Sequence, residues 1–204
     1  MTVLATTLSA INAQRPCEAG WRKLITAIGP DYGDTTPFPL AAIAETNGID
    51  DALWALRCVP PEIARRIAIR FACDCIEHVL PIWEGHYPQD QRPRDALKMT
   101  CLYAFGSPLE RPTRTTVHSI AKTAYVAARY AATQSWPHTA NVARAAGLTI
   151  ETLNIDGGTK CIYIAYVAGD AAYTASLGVR FKTRHLIERT WQKQHLIELL
   201  ENAP

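Results

Sequence analysis

The chain has 204 residues, of which 48% are hydrophobic and 20% are charged, and its formal net charge is +2. This length is sufficient to bury a hydrophobic core, and the balance of residue types is that of an ordinary globular protein. The small net charge argues against function by bulk electrostatic attraction to nucleic acid or to an anionic membrane.

The chain shows no export or membrane segment. Residues 1–13 lack the basic start and the continuous apolar stretch of a signal peptide, and the apolar run at 161–168 is too short for a membrane span. The cysteines stand in segments that we expect to be apolar helices, which favours reduced core thiols over disulfides. They are Cys17, Cys58, Cys73, Cys75, Cys101 and Cys161. These features predict a cytoplasmic protein.

Helical periodicity dominates the first half of the chain, and strand signals are scarce. Proline, glycine and capping residues delimit the helices, with a turn-rich loop at 31–39 and Asp50 as the N-cap of the third helix. The predicted helices cover 16–28, 40–47, 52–58, 61–83 and 93–105.

Beyond a linker at 107–112, which could separate two halves of the chain, further helices are predicted at 115–133, 159–176 and 182–201. The first two are rich in alanine, whose small side chain lets helices approach closely, while their tyrosines fill gaps. We expect these two to pack against each other or against the helix at 61–83. The sequence therefore predicts one all-α domain over 1–204, a bundle of about seven to nine helices.

The helix at 61–83 is apolar over most of its circumference when residues are placed about 100° apart. Its apolar arc consists of Ile67, Phe71, Ala72, Ile76, Val79 and Leu80. The narrow polar stripe consists of Arg66, Arg70, Asp74 and Glu77, with His78 at its edge. A helix of this kind belongs in the middle of a bundle.

The turn after this helix, residues 90–95, supplies partners for the polar stripe. Arg92 and Arg94 flank the proline that opens the next helix, and they can reach back to carboxylates of the central helix. Those carboxylates are Asp74, Glu77 and Glu84. Such pairs would fix the two helices in one register; alternatively, the same charges form a recognition surface for another protein.

A family resemblance is strongest at 71–97, which reads FACDCIEHVLPIWEGHYPQDQRPRDAL. This segment resembles the signature of a helical family of immunity proteins from bacterial polymorphic-toxin systems, with relatives among phage and prophage proteins. The resemblance covers 48–96 and, more loosely, the final helix, whereas 135–158 departs from the alanine-rich middle of that family. It implies an all-α fold that acts by binding and blocking a cognate protein, without an active site. The matching positions are Asp74, Glu77, Pro81, Glu84, Arg92, Pro93 and Arg94.

Residue types suited to metal binding or catalysis occur without the required spacing. Cys73 and Cys75 would point about 200° apart on a helix, so they cannot bind one ion together. Asp74, Glu77 and His78 share a face, but the chain lacks the Glu-x-x-His pairs of di-metal bundles. No Gly-x-Ser-x-Gly sequence marks a nucleophile. We expect no catalysis, no metal and no cofactor.

Residues 141–153 have the residue pattern of a helix-turn-helix, with Gly147 at the turn and Thr149 starting the second helix. That second helix would carry Glu151 and Asp156 but no arginine or lysine, and acidic side chains repel phosphates. Two interpretations remain: a DNA-binding regulator, or a plain turn between two helices of the bundle.

The last predicted helix carries a modest basic cluster beside an indole, which is either a solvated face or a contact for an acidic partner. The cluster consists of Arg180, Lys182, Arg184, His185, Arg189, Trp191, Lys193 and His195. The leading hypothesis is a non-enzymatic, immunity-type or phage-encoded inhibitor that binds a toxin or a defence component. Its expected binding residues are Asp74, Glu77, Glu84, Arg92, Arg94, Arg184, Arg189 and Trp191.

Overall fold

The computed structural model of the protein describes residues 3–107, 109, 111–134, 136–151, 163, 165–166, 169 and 184–203. These residues contain nine α-helices, one turn of 3-10 helix and a two-stranded antiparallel pair, so the predicted all-α bundle is confirmed. The helices are α1 (Leu8–Ala13), α2 (Glu18–Ile28), α3 (Ala41–Thr46), α4 (Ile49–Ala55), α5 (Pro61–His86), α6 (Arg92–Phe105), α7 (Arg114–Thr133), α8 (Pro137–Glu151) and α9 (Arg184–Glu201). The 3-10 turn is Leu56–Cys58, and the strands are β1 (Ala5–Thr6) and β2 (Phe38–Pro39).

Two helix starts near the N-terminus differ from the sequence prediction. Cys17 is an exposed residue that caps α2, its Sγ accepting the Gly20 N–H at 3.3 Å, so it is not a core thiol. The start of α4 follows Gly48, whose φ of 105° suits glycine. Asp50 therefore lies within the first turn of α4, and its prediction as the N-cap was wrong.

The central helix is α5, as predicted, and it extends three residues further than expected, to His86. All six residues of its predicted apolar arc are buried, and Trp83 is buried near its end. It packs against α6, α8 and α9. Because each large apolar side chain contributes about 1.5–3 kcal/mol when fully buried, α5 provides much of the driving force for folding.

The alanine-rich helix α7 packs against α8 and α6. Its buried face consists of Val117, Ala121, Ala124, Ala127, Ala128 and Ala131. A Cβ atom at Gly147 of α8 would lie 3.3 Å from the Ala121 carbonyl oxygen and from the Tyr125 ring. Small residues thus bring α7 and α8 unusually close. The predicted helix at 159–176 lies largely outside the described residues, so its contact with α7 stays a prediction.

The helix-turn-helix predicted at 141–153 is wrong over the described part of that segment. The helix α8 continues without a break from Pro137 to Glu151, with Gly147 buried against α7. The Thr149 hydroxyl donates to the Ala145 carbonyl oxygen at 2.9 Å, inside the same helix, so no second helix starts there. The glycine serves close packing between two helices rather than a chain reversal, which removes both the DNA-reading and the plain-turn interpretation.

Buried hydrophobic residues from α1 to α9 form one continuous cluster. The predicted linker at 107–112 falls between α6 and α7, and its role as a sub-domain boundary stays a prediction. Over the ranges that the structure describes, no helix is both long enough and apolar enough to cross a bilayer.

The close approach of α7 and α8 can be tested with two glycine substitutions. Gly147→Val should lower the free energy of unfolding by about 1–3 kcal/mol, because its methyl groups would meet the backbone and a ring of α7. Gly85→Ala is the control, since a Cβ there meets nothing within 4 Å, and it should raise stability by about 0.5 kcal/mol. Urea denaturation followed by circular dichroism measures both, and a Gly147→Val variant as stable as the parent would contradict the packing described.

Candidate functional site

A polar seam lies in the contact between α5 and α9, and it runs from the buried Glu188 and Gln192 out to the exposed Arg70 and His78. We name it the α5–α9 seam. It consists of Arg70, Asp74, His78, Glu188, Arg189, Trp191, Gln192 and His195.

Glu188 is the most buried acid of the seam, with 3% of its surface exposed, and both of its carboxylate oxygens are hydrogen-bonded. The His78 Nδ1 lies 2.7 Å from Oε2, and the Gln192 Nε2 donates to Oε1 at 2.9 Å. The same Gln192 nitrogen also donates to the Gly169 carbonyl oxygen at 3.0 Å. Because a buried carboxylate is costly unless it is fully hydrogen-bonded, these contacts let α9 pack directly on α5.

A second pair joins the helices along the seam. The Asp74 Oδ2 accepts from the Arg70 Nε at 2.9 Å and from the His195 Nε2 at 2.7 Å. Asp74 was predicted to contact the arginines at 90–95, but its partners are one turn away on α5 and across the seam on α9. It therefore links the two helices.

The Trp191 ring stacks with both histidine rings of the seam. Its centroid is 3.9 Å from that of His78, at an interplanar angle of 8°, and 5.0 Å from that of His195, at 7°. Each imidazole is in turn hydrogen-bonded to a carboxylate, which fixes its ring plane. Arg189 extends the seam towards α4, with a guanidinium nitrogen 3.6 Å from the Asp50 Oδ1.

The two thiols of α5 beside the seam, Cys73 and Cys75, are not activated nucleophiles. Burial raises the pKa of the nearby Cys75 thiol well above its usual range, which keeps it protonated and unreactive. A hydrogen bond to Cys101, together with burial, has the same effect on the pKa of Cys73. In the described part of the chain, no group of three or more His, Cys, Asp or Glu side chains is arranged to hold a metal ion.

The turn between α5 and α6, which we name the elbow (residues 87–94), is held by two ion pairs. Arg94 reaches back to α5 as predicted, and its guanidinium lies 2.6 Å from the Glu84 Oε1. Arg92 does not reach α5. Its Nε donates to the Asp90 Oδ1 at 2.8 Å and its Nη2 donates to the Asp90 Oδ2 at 2.5 Å. These hydrogen bonds hold the pKa of the Asp90 carboxyl below its usual range. The buried Trp83 Nε1 donates to the Asp90 carbonyl oxygen at 2.8 Å.

The structure thus divides the eight expected binding residues into several groups. Asp74, Arg189 and Trp191 belong to the seam, Glu84 and Arg94 pair with each other, and Arg92 pairs within the elbow. Glu77 is exposed and makes no hydrogen bond within the described residues, although its charge helps raise the pKa of Arg94. The side chain of Arg184 lies outside what the structure describes.

An exposed aromatic patch lies beside the elbow, where α5, α7 and α8 meet, and the sequence analysis did not single it out. The patch consists of His86, Tyr87, Tyr130 and Trp136. The His86 and Trp136 ring centroids are 4.2 Å apart, and those of Tyr87 and Tyr130 are 6.0 Å apart. Tyr130 and Trp136 are 51% and 48% exposed, so Tyr130 does not fill a gap between helices as expected.

A separate small cavity of about 120 Å³ lies among α1 to α4, between the indoles of Trp21 and Trp54. Asn47 and Asp51 form its polar side, and the Asn47 Nδ2 donates to the Asp51 Oδ2 at 2.7 Å. Both acid and amide are therefore already hydrogen-bonded to each other.

Comparison with protein families gives one match. The sequence model described as "Imm-5 like putative immunity protein" matches residues 61–199, from the start of α5 into α9. The match covers the seam, the elbow and the aromatic patch. It also includes residues 135–158, which depart from the alanine-rich middle expected for the family. The segment 48–60, counted in the resemblance above, lies outside it. No curated protein and no solved structure matches the chain.

The contribution of the seam to stability can be tested at its most buried acid. Glu188→Ala should lower the free energy of unfolding by about 2 kcal/mol, because the fully buried Gln192 loses an acceptor and α9 loses its link to His78. Glu188→Gln is the control, since an amide oxygen can still accept one of these hydrogen bonds, and it should cost less. A Glu188→Ala variant that is as stable as the parent in urea denaturation would rule out a stabilising role for the seam.

The elbow pair between Arg94 and Glu84 can be tested with a double-mutant cycle. Both side chains are about one-third exposed, so Arg94→Ala should cost only about 0.5–1 kcal/mol. Adding Glu84→Ala to it should cost little more, which gives a coupling energy of about 0.5 kcal/mol. Lys98→Ala on the exposed side of α6 is the control and should leave stability unchanged. A coupling energy of zero would mean that these charges do not hold the elbow.

Proposed function

The chain belongs to the Imm-5 like family of putative immunity proteins, and on that basis we propose that it is a non-enzymatic inhibitor that binds another protein and blocks it. The proposed partner is a toxin of a bacterial polymorphic-toxin system or, if the chain is phage-encoded, a component of host defence. Its action is stoichiometric occlusion of a working surface rather than chemistry.

The observation that carries this proposal is the exposed aromatic patch. Trp136 and Tyr130 leave about half of their surfaces in water, next to the exposed ring of His86 and the half-buried ring of Tyr87. Tryptophan and tyrosine are the residues most enriched among those that dominate protein–protein binding energies, and clustered exposed rings mark interaction sites. The patch also lies within the range that the family shares.

The charged residues expected to bind have a supporting role in this proposal. The elbow pairs Glu84–Arg94 and Asp90–Arg92 hold the turn that carries Tyr87, so they position the patch. The α5–α9 seam fixes α9 on α5. Glu77 is exposed and unbonded within the described residues, and its part in binding stays a prediction.

We place the protein in the cytoplasm. The thiols of Cys73 and Cys101 are hydrogen-bonded to each other and both are free, which suits a reducing compartment.

The proposal can be tested by affinity capture from a lysate of the native host with three versions of the tagged chain. The patch variant is Tyr130→Ala/Trp136→Ala. The control is Leu186→Ala/Ile187→Ala, which removes two exposed apolar side chains of α9 outside the patch. We expect one protein at near-stoichiometric level with the parent and the control, and binding weakened about tenfold or more in the patch variant.

The captured protein is then expressed alone and together with the chain. Growth arrest that is relieved by co-expression of the parent, but not of the patch variant, supports an immunity function. Failure to capture a near-stoichiometric protein contradicts the proposal. Equal capture by the parent and the patch variant would remove the patch from the interface.

A further inference from the structure

We propose that the surface this protein recognises on its partner is acidic, and that exposed basic side chains of α7 select it. The inference rests on the proposed function and adds the chemistry of the partner. The side chains that carry it are Arg129, next to Tyr130 of the aromatic patch, and Lys122, two turns away on the same exposed side of α7.

Charge is unevenly distributed along the chain. Residues 111–150 contain five arginines and lysines and not a single aspartate or glutamate, whereas the rest of the chain carries 16 basic and 19 acidic side chains. The basic residues of this segment are Arg111, Arg114, Lys122, Arg129 and Arg144. The small net charge of the whole chain therefore conceals a locally basic hairpin of α7 and α8, whose one acidic residue is Glu151 at the end of α8.

The basic side chains of α7 stand beside apolar ones on one outer face. Lys122 and Val126 are one turn apart, as are Val126 and Tyr130, and Arg129 lies next to them on the helix. All four are exposed, and Val126 is 51% exposed. Neither Lys122 nor Arg129 has an ion pair with any residue in the described ranges. Their charges are thus available to an incoming partner.

The opposite face of α7 is buried: its alanines pack in the bundle, and Gly147 of α8 leaves little room for a Cβ atom beside the Ala121 carbonyl oxygen. The outer face therefore presents its charges at fixed spacing. An apolar and aromatic centre with a charged edge is the arrangement found in protein interfaces, where charge complementarity guides encounter and excludes wrong partners. The complementary surface on the partner is an apolar recess flanked by aspartates and glutamates.

The same features favour a protein over nucleic acid. The rings of the patch contact one another at steep angles, 61° between Tyr87 and Tyr130 and 41° between His86 and Trp136, so they do not form parallel platforms for stacked bases. The remainder of the chain carries more acids than bases, which weakens long-range attraction to a phosphate backbone.

The test uses fluorescence anisotropy with two probes, a labelled oligoglutamate peptide and a short labelled DNA duplex, at low and at physiological ionic strength. The variant Lys122→Glu/Arg129→Glu reverses the α7 charges. The control Arg15→Glu/Lys98→Glu makes the same change in net charge at exposed positions elsewhere. Circular dichroism verifies that each variant is folded.

We expect oligoglutamate to bind the parent and the control with similar Kd at low ionic strength, with Kd about tenfold higher for the α7 variant. Equal binding by both variants, or no binding to the parent, overturns the inference. Tighter binding of DNA than of oligoglutamate, lost in the α7 variant, overturns it in favour of a nucleic-acid surface.

Two further outcomes separate this inference from the proposed function. A captured partner whose association rate is unaffected by salt and by the α7 variant would leave the proposed function intact and overturn the acidic-partner inference. If oligoglutamate binds as expected but no partner is captured, the inhibitor proposal fails and the acidic-ligand surface stands.

Discussion

The burial of α5 on three sides is the constraint on which the rest of the structure depends. A helix of 26 residues that is apolar over most of its circumference must be covered by α6, α8 and α9, and any polar group in those contacts must find a partner. Asp74 and Glu188 meet this requirement through the histidines facing them. The seam is therefore what allows a partly polar helix, α9, to cover the core.

Local features were predictable from the sequence, and contacts across the fold were not. The apolar arc of α5 follows from helical spacing, and the Arg94–Glu84 pair joins residues only ten positions apart around a proline. The His78–Glu188 and His195–Asp74 contacts join residues 110 and 121 positions apart, which no local pattern encodes. The helix-turn-helix prediction failed at Gly147, because the sequence does not distinguish a glycine that permits close helix packing from one that permits a turn.

Exposure is the second property that the sequence concealed. Tyr130 belongs to an alanine-rich helix whose tyrosines are expected to fill gaps, yet it lies outside the buried face of that helix and is 51% exposed. Its ring joins a patch whose other members come from the end of α5 (His86), the elbow (Tyr87) and the residue just before α8 (Trp136). Charges predicted as a recognition surface turned out mostly to be satisfied within the protein, whereas the open aromatic and basic groups lie on α7 and at its end.

The contact between α5 and α9 also bears on how the protein is made. His78 of α5, which bonds Glu188, is synthesised more than a hundred residues before it. One side of the long apolar helix α5 therefore stays exposed until the intervening chain and α9 have been synthesised. Contacts of such large sequence separation form late and slowly, and uncovered apolar surface promotes aggregation in the meantime. The α7–α8 hairpin, which is local, can assemble first and shield another side of α5. The rate at which folded protein forms would then be limited by the docking of α9, its last helix, on α5.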